Sequence, residues 1–310
     1  MAGDAHRRAA YHRGVTTLAA TTAPVMLDAH DWGAREQAHA ARADALTAAH
    51  RERAARGERH PIEDFLFTYY SYSPGLLRRW HPGAGIELAD AAGTPRAEWR
   101  WYAAGTTPGG LVVDRGGMER EKSAMLGVVE RILRNTAARP GSYGCFGLHE
   151  WAMVYRQREH RHPVPLRLGQ AATDEVVEAH ELRCTHIDAF RFFTPDATPR
   201  NRFAPTRETQ PELEQPGCLH AGMDVYKWAV KLGPLVPGEV LLDAFELARD
   251  IRYLDMQASP YDMEPWGGEP VRIETPEGKA EYVRRQRAFA ERSNALRRRM
   301  LEAWLGADHG

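Results

Sequence analysis

Leu111-Val112-Val113-Asp114-Arg115-Gly116-Gly117-Met118-Glu119 is the stretch on which the fold class turns. Three β-prone aliphatic residues end in an aspartate and a glycine pair, and the hydrophobic period then changes. From about Glu119 to Ala138, Met125, Leu126, Val129, Ile132 and Leu133 recur at three- and four-residue steps, one face of an amphipathic helix. Pro140-Gly141 closes it. Upstream, residues 84–118 read as short strands and turns, with Glu98-Trp99-Arg100-Trp101-Tyr102 as a second strand candidate. Further out the pattern is helical. Residues 32–56 are alanine-rich and charged, with a thin apolar stripe. Leu241, Ala244, Phe245, Ala248 and Ile251 define an inward face. A last helix starts behind Thr275-Pro276 and turns Tyr282, Phe289, Leu296, Met300 and Trp304 inward, its arginine-rich outer side being solvated. These elements predict an α+β fold: one compact, helix-rich domain over 32–310, its small sheet drawn from 84–118 and a segment near 176–193.

Composition narrows the function classes. The 310 residues are 43% hydrophobic and 27% charged, which suits a soluble globular protein; no apolar run is long enough for a spanning helix, so no membrane partner is expected. Lys and Arg total 41 against 42 Asp and Glu, so any nucleic acid must be held by a local patch and not by bulk charge. With 3 cysteines there is no disulfide framework, and a cytoplasmic location is expected. Arg7, Arg8 and Arg13 before Val15 imitate an export signal poorly, since threonines and Pro24 interrupt the apolar part; residues 1–31 read as a mobile leader.

The chemically richest segment is 143–231. Each cysteine is followed closely by a histidine: Cys145 by His149, Cys184 by His186, Cys218 by His220. An acid stands near each histidine: Glu150, Asp188 and Asp224. Such a set can bind a metal, carry acid–base chemistry, or simply satisfy partly buried rings. If 182–192 is extended, Cys184, His186 and Asp188 share one face. Asp224 lies one helical turn beyond His220. His149 and Glu150 are adjacent and should diverge. No Cys-x-x-Cys, His-Glu-x-x-His, phosphate loop or nucleophile elbow is present. The run from Arg156 to Arg167, with Arg158, His160, Arg161 and His162, is a weak phosphate candidate.

Seven stretches carry a resemblance. They are residues 60–70 (His60 to Tyr70), 77–83 (Leu77 to Gly83), 145–155 (Cys145-Phe146-Gly147-Leu148-His149-Glu150-Trp151 to Tyr155), 183–193 (Arg183-Cys184-Thr185-His186-Ile187-Asp188 to Phe193), 215–221 (Gln215-Pro216-Gly217-Cys218-Leu219-His220-Ala221), 223–228 (Met223 to Trp228) and 254–262 (Leu254 to Asp262). The chain resembles a bacterial family commonly labelled 3-methyladenine DNA glycosylase, not of the helix-hairpin-helix type. The resemblance implies damaged duplex DNA as partner, no required cofactor, and hydrolysis of the bond joining an alkylated purine to deoxyribose, with the base extruded into a pocket. An N-alkylated purine is cationic and drawn to aromatic faces, so Trp151, Tyr155, Tyr226 and Trp228 become stacking candidates, each otherwise a core residue. Asp188, then Asp224, would stabilise charge on the sugar or position water; His186 would orient them, and Arg191 would meet a phosphate. Two alternatives stand beside this: a small-molecule enzyme, with or without a divalent metal on His149, His186 and His220, and a non-catalytic binding protein.

Overall fold

The structure, a computed structural model, describes residues 23–160 and 164–306. In chain order it contains β1 (Val25–Leu27), α1 (Ala29–Ala55), α2 (Asp64–Tyr69), α3 (Pro74–Leu77), β2 (Ile86–Leu88), β3 (Tyr102–Ala104), β4 (Leu111–Val113) and α4 (Arg115–Ala138). There follow α5 (Leu148–Ala152), α6 (Gly169–Glu178), α7 (Ile187–Phe190), α8 (Gln210–Leu213), α9 (Leu219–Leu232), α10 (Gly238–Gln257) and α11 (Pro276–Leu305). This is the α+β class expected: helix-rich, with one small sheet.

The sheet is mixed, ordered β1-β2-β4-β3. β1 runs parallel to β2 (Met26 opposite Glu87), and β4 is antiparallel to both β2 and β3. Three corrections follow. The leader boundary at 31 falls too late, because Val25–Leu27 forms the sheet edge; residues 1–22 lie outside the described residues. The aromatic run 98–102 is mostly not a strand. Pro95–Glu98 is a 3-10 turn and Trp101 is left-handed (φ 72), because Trp32, Trp80, Trp99 and Tyr102 wrap the buried Arg96 guanidinium at 5.2–6.0 Å. Finally, no strand forms over 176–193. The Asn201 amide both accepts from the Cys184 N–H (2.8 Å) and donates to its carbonyl (2.9 Å), replacing a partner strand.

The core sits among α4, α9, α10 and α11. Apolar residues surround α9 on nearly every side, so it is enclosed and not merely amphipathic. Gly222 makes that possible: a Cβ there would come within 2.8 Å of Ile251 Cδ1 on α10. The expected inward face of α10 is wholly buried, as are Leu126, Val129, Ile132 and Leu133 of α4. The sheet has its own small core of Trp32, Trp80, Leu88, Ala91 and Leu111, and contributes no residue to the site below. No described helix is long and apolar enough to cross a membrane.

Candidate active site

Five helices deliver the site. Gly147, left-handed at φ 73, turns the chain into the short α5 and so places His149 and Glu150. Gly217 passes so near Ser142 O that a Cβ would lie 2.3 Å from it, which sets the start of α9 with His220 and Asp224. α10 brings Arg252 and Asp255 on one face, three residues apart. α7 carries Asp188, and α2 brings Phe65, Thr68 and Tyr69.

The three histidines converge. The His149 and His220 ring centres are 4.4 Å apart, and those of His220 and His186 5.4 Å. They do not share one ligand set, however. Possible ligand atoms of His149, Glu150, His220 and Asp255 lie within 4.8 Å of one another, and those of His186, Glu214 and Asp224 form a second group. A single metal on His149, His186 and His220 therefore does not match the arrangement. Nor do His149 and Glu150 diverge from a common centre: adjacent helical residues splay by roughly 100°, and Asp255 and His220 fill the angle between them.

In the first group His149 Nε2 meets Asp255 Oδ1 at 2.8 Å, and Arg252 meets Asp255 Oδ2 at 2.9 Å and Glu150 at 3.5 Å. Burial opposes charge on His149, but Asp255 outweighs it and holds the imidazole well above its ordinary value. Burial, then His149, pushes His220 down to about 3, so it is a neutral ring, and its buried Nδ1 has no hydrogen-bond partner among the described residues. Burial, then the Asp255 charge, raises the Glu150 carboxyl.

In the second group His186 Nε2 lies 3.0 Å from Glu214 Oε1 and 3.3 Å from Asp224 Oδ2. Burial again opposes the charge, and Glu214 and Asp224 overcome it, holding His186 at about 9. Lys227 Nζ lies 2.8 Å from Asp224 Oδ2 and 3.0 Å from Asp188 Oδ2. Arg207 grips both Asp188 oxygens, and Arg191 Nε is 3.4 Å away. Partial burial works against the Asp188 charge, but Arg207 and Lys227 hold the carboxyl at about 2.

Two neighbouring hollows are lined by these groups. One, about 240 Å³, is walled by Phe65, Tyr69, Tyr70 and Phe192 with Met153 and Met223, and presents Glu150, Asp188, His220 and Arg252. The other, about 470 Å³, shares Tyr69, Tyr70 and Asp188 with it and is lined by Arg191, Arg207, Lys227, Trp228 and Lys231.

Of the residues singled out in the sequence, His149, Glu150, His186, Asp188, His220 and Asp224 assemble, and Arg191 and Trp228 line the second hollow. Trp151, Tyr155 and Tyr226 are core residues instead: Trp151 Nε1 donates to Ala258 O, Tyr155 Oη to Glu178, and Tyr226 packs on Tyr70, Tyr72 and Phe245. All three are at most 1% exposed, since each fills space between helices. Of the three cysteines Cys145 contacts the site, its Sγ 3.6 Å from His149 Nδ1, and none joins either ligand group. Together they line a void of about 10 Å³ behind His149, with Tyr282 and Gln286, and burial raises the Cys184 and Cys218 thiols well above the ordinary range. Cys184 does not share a face with Asp188, because the chain enters α7 directly after His186. Arg161 and His162 of the basic run lie outside the described residues.

Glu214, Asp255, Arg252, Arg207 and Lys227 were not singled out. The available signals are Arg252 and Asp255, charged residues three apart on the buried side of α10, and the adjacent tyrosines ending α2. No family model, curated protein or solved structure matches this chain, so its function rests on the groups around these two hollows.

Proposed function

We propose that the protein hydrolyses the N-glycosidic bond of an N-alkylated purine, the activity implied by the sequence resemblance. The observation that carries this reading is the aromatic hollow with Glu150 in its wall. Its wall is largely aromatic, the kind of surface to which a flat cationic base is drawn, and about 240 Å³ accommodates a purine. Glu150 is the catalytic carboxyl: burial makes it a stronger proton acceptor than a solvated carboxylate. Water adds to the anomeric carbon, its proton passes to Glu150, and the C–N bond electrons neutralise the departing cationic base. Neutral His220 lines the hollow, and its Nδ1 has no hydrogen-bond partner among the described residues. Asp188 is a positioning residue, since Arg207 and Lys227 already occupy its charge. The hollow beside Asp188 speaks against a purely non-catalytic protein. Incubation with a 7-methylguanine nucleoside, nucleotide and oligonucleotide should release 7-methylguanine, read by chromatography; no release from any of the three refutes the reading.

One observation favours a second reading. His149, Glu150, His220 and Asp255 form a two-nitrogen, two-carboxylate set of the kind that binds zinc or iron, and His220 Nδ1 has no hydrogen-bond partner among the described residues. A divalent cation there would replace the His149 proton and activate a small-molecule reaction. Elemental analysis of the purified protein decides between the readings. Near-stoichiometric metal, lost in His220→Ala, selects the metal enzyme; base release that persists after chelation selects the metal-free hydrolase.

A further inference from the structure

The second hollow supplies what the first lacks, a concentration of positive charge. Lys227 and Lys231 stand four residues apart on α9 and so share a face; Arg191 and Arg207 complete the wall. Asp188 and Asp224 offset part of this charge, yet Lys231 is exposed and has no ion-pair partner among the described residues. The two hollows share Tyr69, Tyr70 and Asp188 in their walls, so a ligand with its base in the aromatic hollow and its sugar beside these residues would place a following phosphate among the cations. Their combined extent falls in the range of pockets that bury a whole small ligand, about 300–1,000 Å³.

The charge is one-sided. On its other flank the aromatic hollow borders a third, which shares Glu150, Met153 and Phe192 and adds Gln157, Glu159 and His160. An extruded nucleotide within a strand carries a phosphate on either side of its sugar. Only one of the two openings is cationic among the described residues, and a DNA-gripping surface typically neutralises several phosphates. The chain's formal net charge of -1 adds no general attraction.

We propose that the cationic hollow binds the terminal phosphate of a free purine nucleoside monophosphate whose base enters the aromatic hollow. Phosphate oxygens accept charge-assisted hydrogen bonds from Arg191, Arg207, Lys227 and Lys231. The choice of an alkylated purine rests on the hydrolytic reading above; the phosphate site does not.

Calorimetric titration of the full chain with 7-methylguanosine 5′-monophosphate, 7-methylguanosine and a 7-methylguanine-containing duplex, with base release followed in parallel, tests this. The monophosphate should bind about 30-fold more tightly than the nucleoside, the effect expected of one or two charge-assisted contacts. Lys231→Glu, at an exposed position that should not disturb folding, should shrink that advantage to about threefold or less and leave the nucleoside's affinity unchanged. Arg207→Ala should act in the same direction. Equal affinity for nucleoside and monophosphate, no effect of Lys231→Glu, or tighter binding of the duplex each overturns the proposal. Tight monophosphate binding without base release keeps the phosphate site and refutes hydrolysis. Base release from the nucleoside, with no gain from the phosphate, does the reverse.

Discussion

Glu150→Gln should lower kcat for base release by about 10²–10⁴, the usual contribution of a positioned acid or base, with little change in KM. The substitution is nearly isosteric, and the amide oxygen still faces Arg252, 3.5 Å from the present carboxylate. What disappears is the proton acceptor, and burial gives water no easy way to replace it: the Glu150 residue is 5% exposed. Steady-state kinetics on a 7-methylguanine substrate, with a thermal melt to confirm folding, measures this. Asp188→Asn should behave differently. It removes the counter-charge that holds Arg207 and Lys227, so its main effect should fall on KM for a phosphorylated substrate. If Glu150→Gln keeps more than about half of wild-type kcat, the carboxyl is not the acceptor assigned here, whatever the fate of the hollow as a binding site.

His186→Gln should destabilise the protein by about 3–5 kcal/mol, the usual cost of removing one partner from a buried ionic group. Gln nearly conserves volume, so the loss comes from charge. Glu214 and Asp224 would remain, 0% and 2% exposed, with Lys227 alone among nearby cations in contact with Asp224. The same argument sets a pH dependence. The unfolded imidazole titrates near 6.5 and the folded one at about 9. Below pH 6.5 both states hold the proton and the stabilisation is complete; it is lost as pH rises through 9. The groups facing His186 are Glu214, Asp224 and His220; of these Asp224 is held well below the usual carboxylate range and His220 at about 3, so neither titrates in that window. The stability gap between wild type and His186→Gln, read from urea midpoints, should therefore be widest near pH 6 and shrink by about 3 kcal/mol toward pH 10. A gap below about 1 kcal/mol at pH 6, or one independent of pH, would show that His186 is not held as an imidazolium.

The two clusters explain why histidines crowd so closely. His149 and His186 are both charged and each is bound to carboxylates, while His220 between them is neutral. A third imidazolium in the same space would meet like charge on both sides. Its Nδ1 has no hydrogen-bond partner among the described residues, and His220 lines the aromatic hollow.

Much of this protein was already written in local pattern. The helical faces of α4, α10 and α11 follow from apolar residues at three- and four-residue steps, because a helix repeats every 3.6 residues whatever its neighbours. Pairing of cysteine, histidine and acid marked three segments that do converge. Local pattern could not tell which partner each group takes. His149 with Asp255, and His186 with Glu214, join residues far apart in sequence, and nothing in either neighbourhood signals the other. It also misassigned aromatic residues, since Trp151 and Tyr70 are equally apolar in sequence and only packing makes one core and the other a wall. Charge is decided the same way. A carboxyl acquires its proton affinity from burial and from the charges brought beside it, so Glu150, Asp188 and Asp224 differ only once the chain has folded around them.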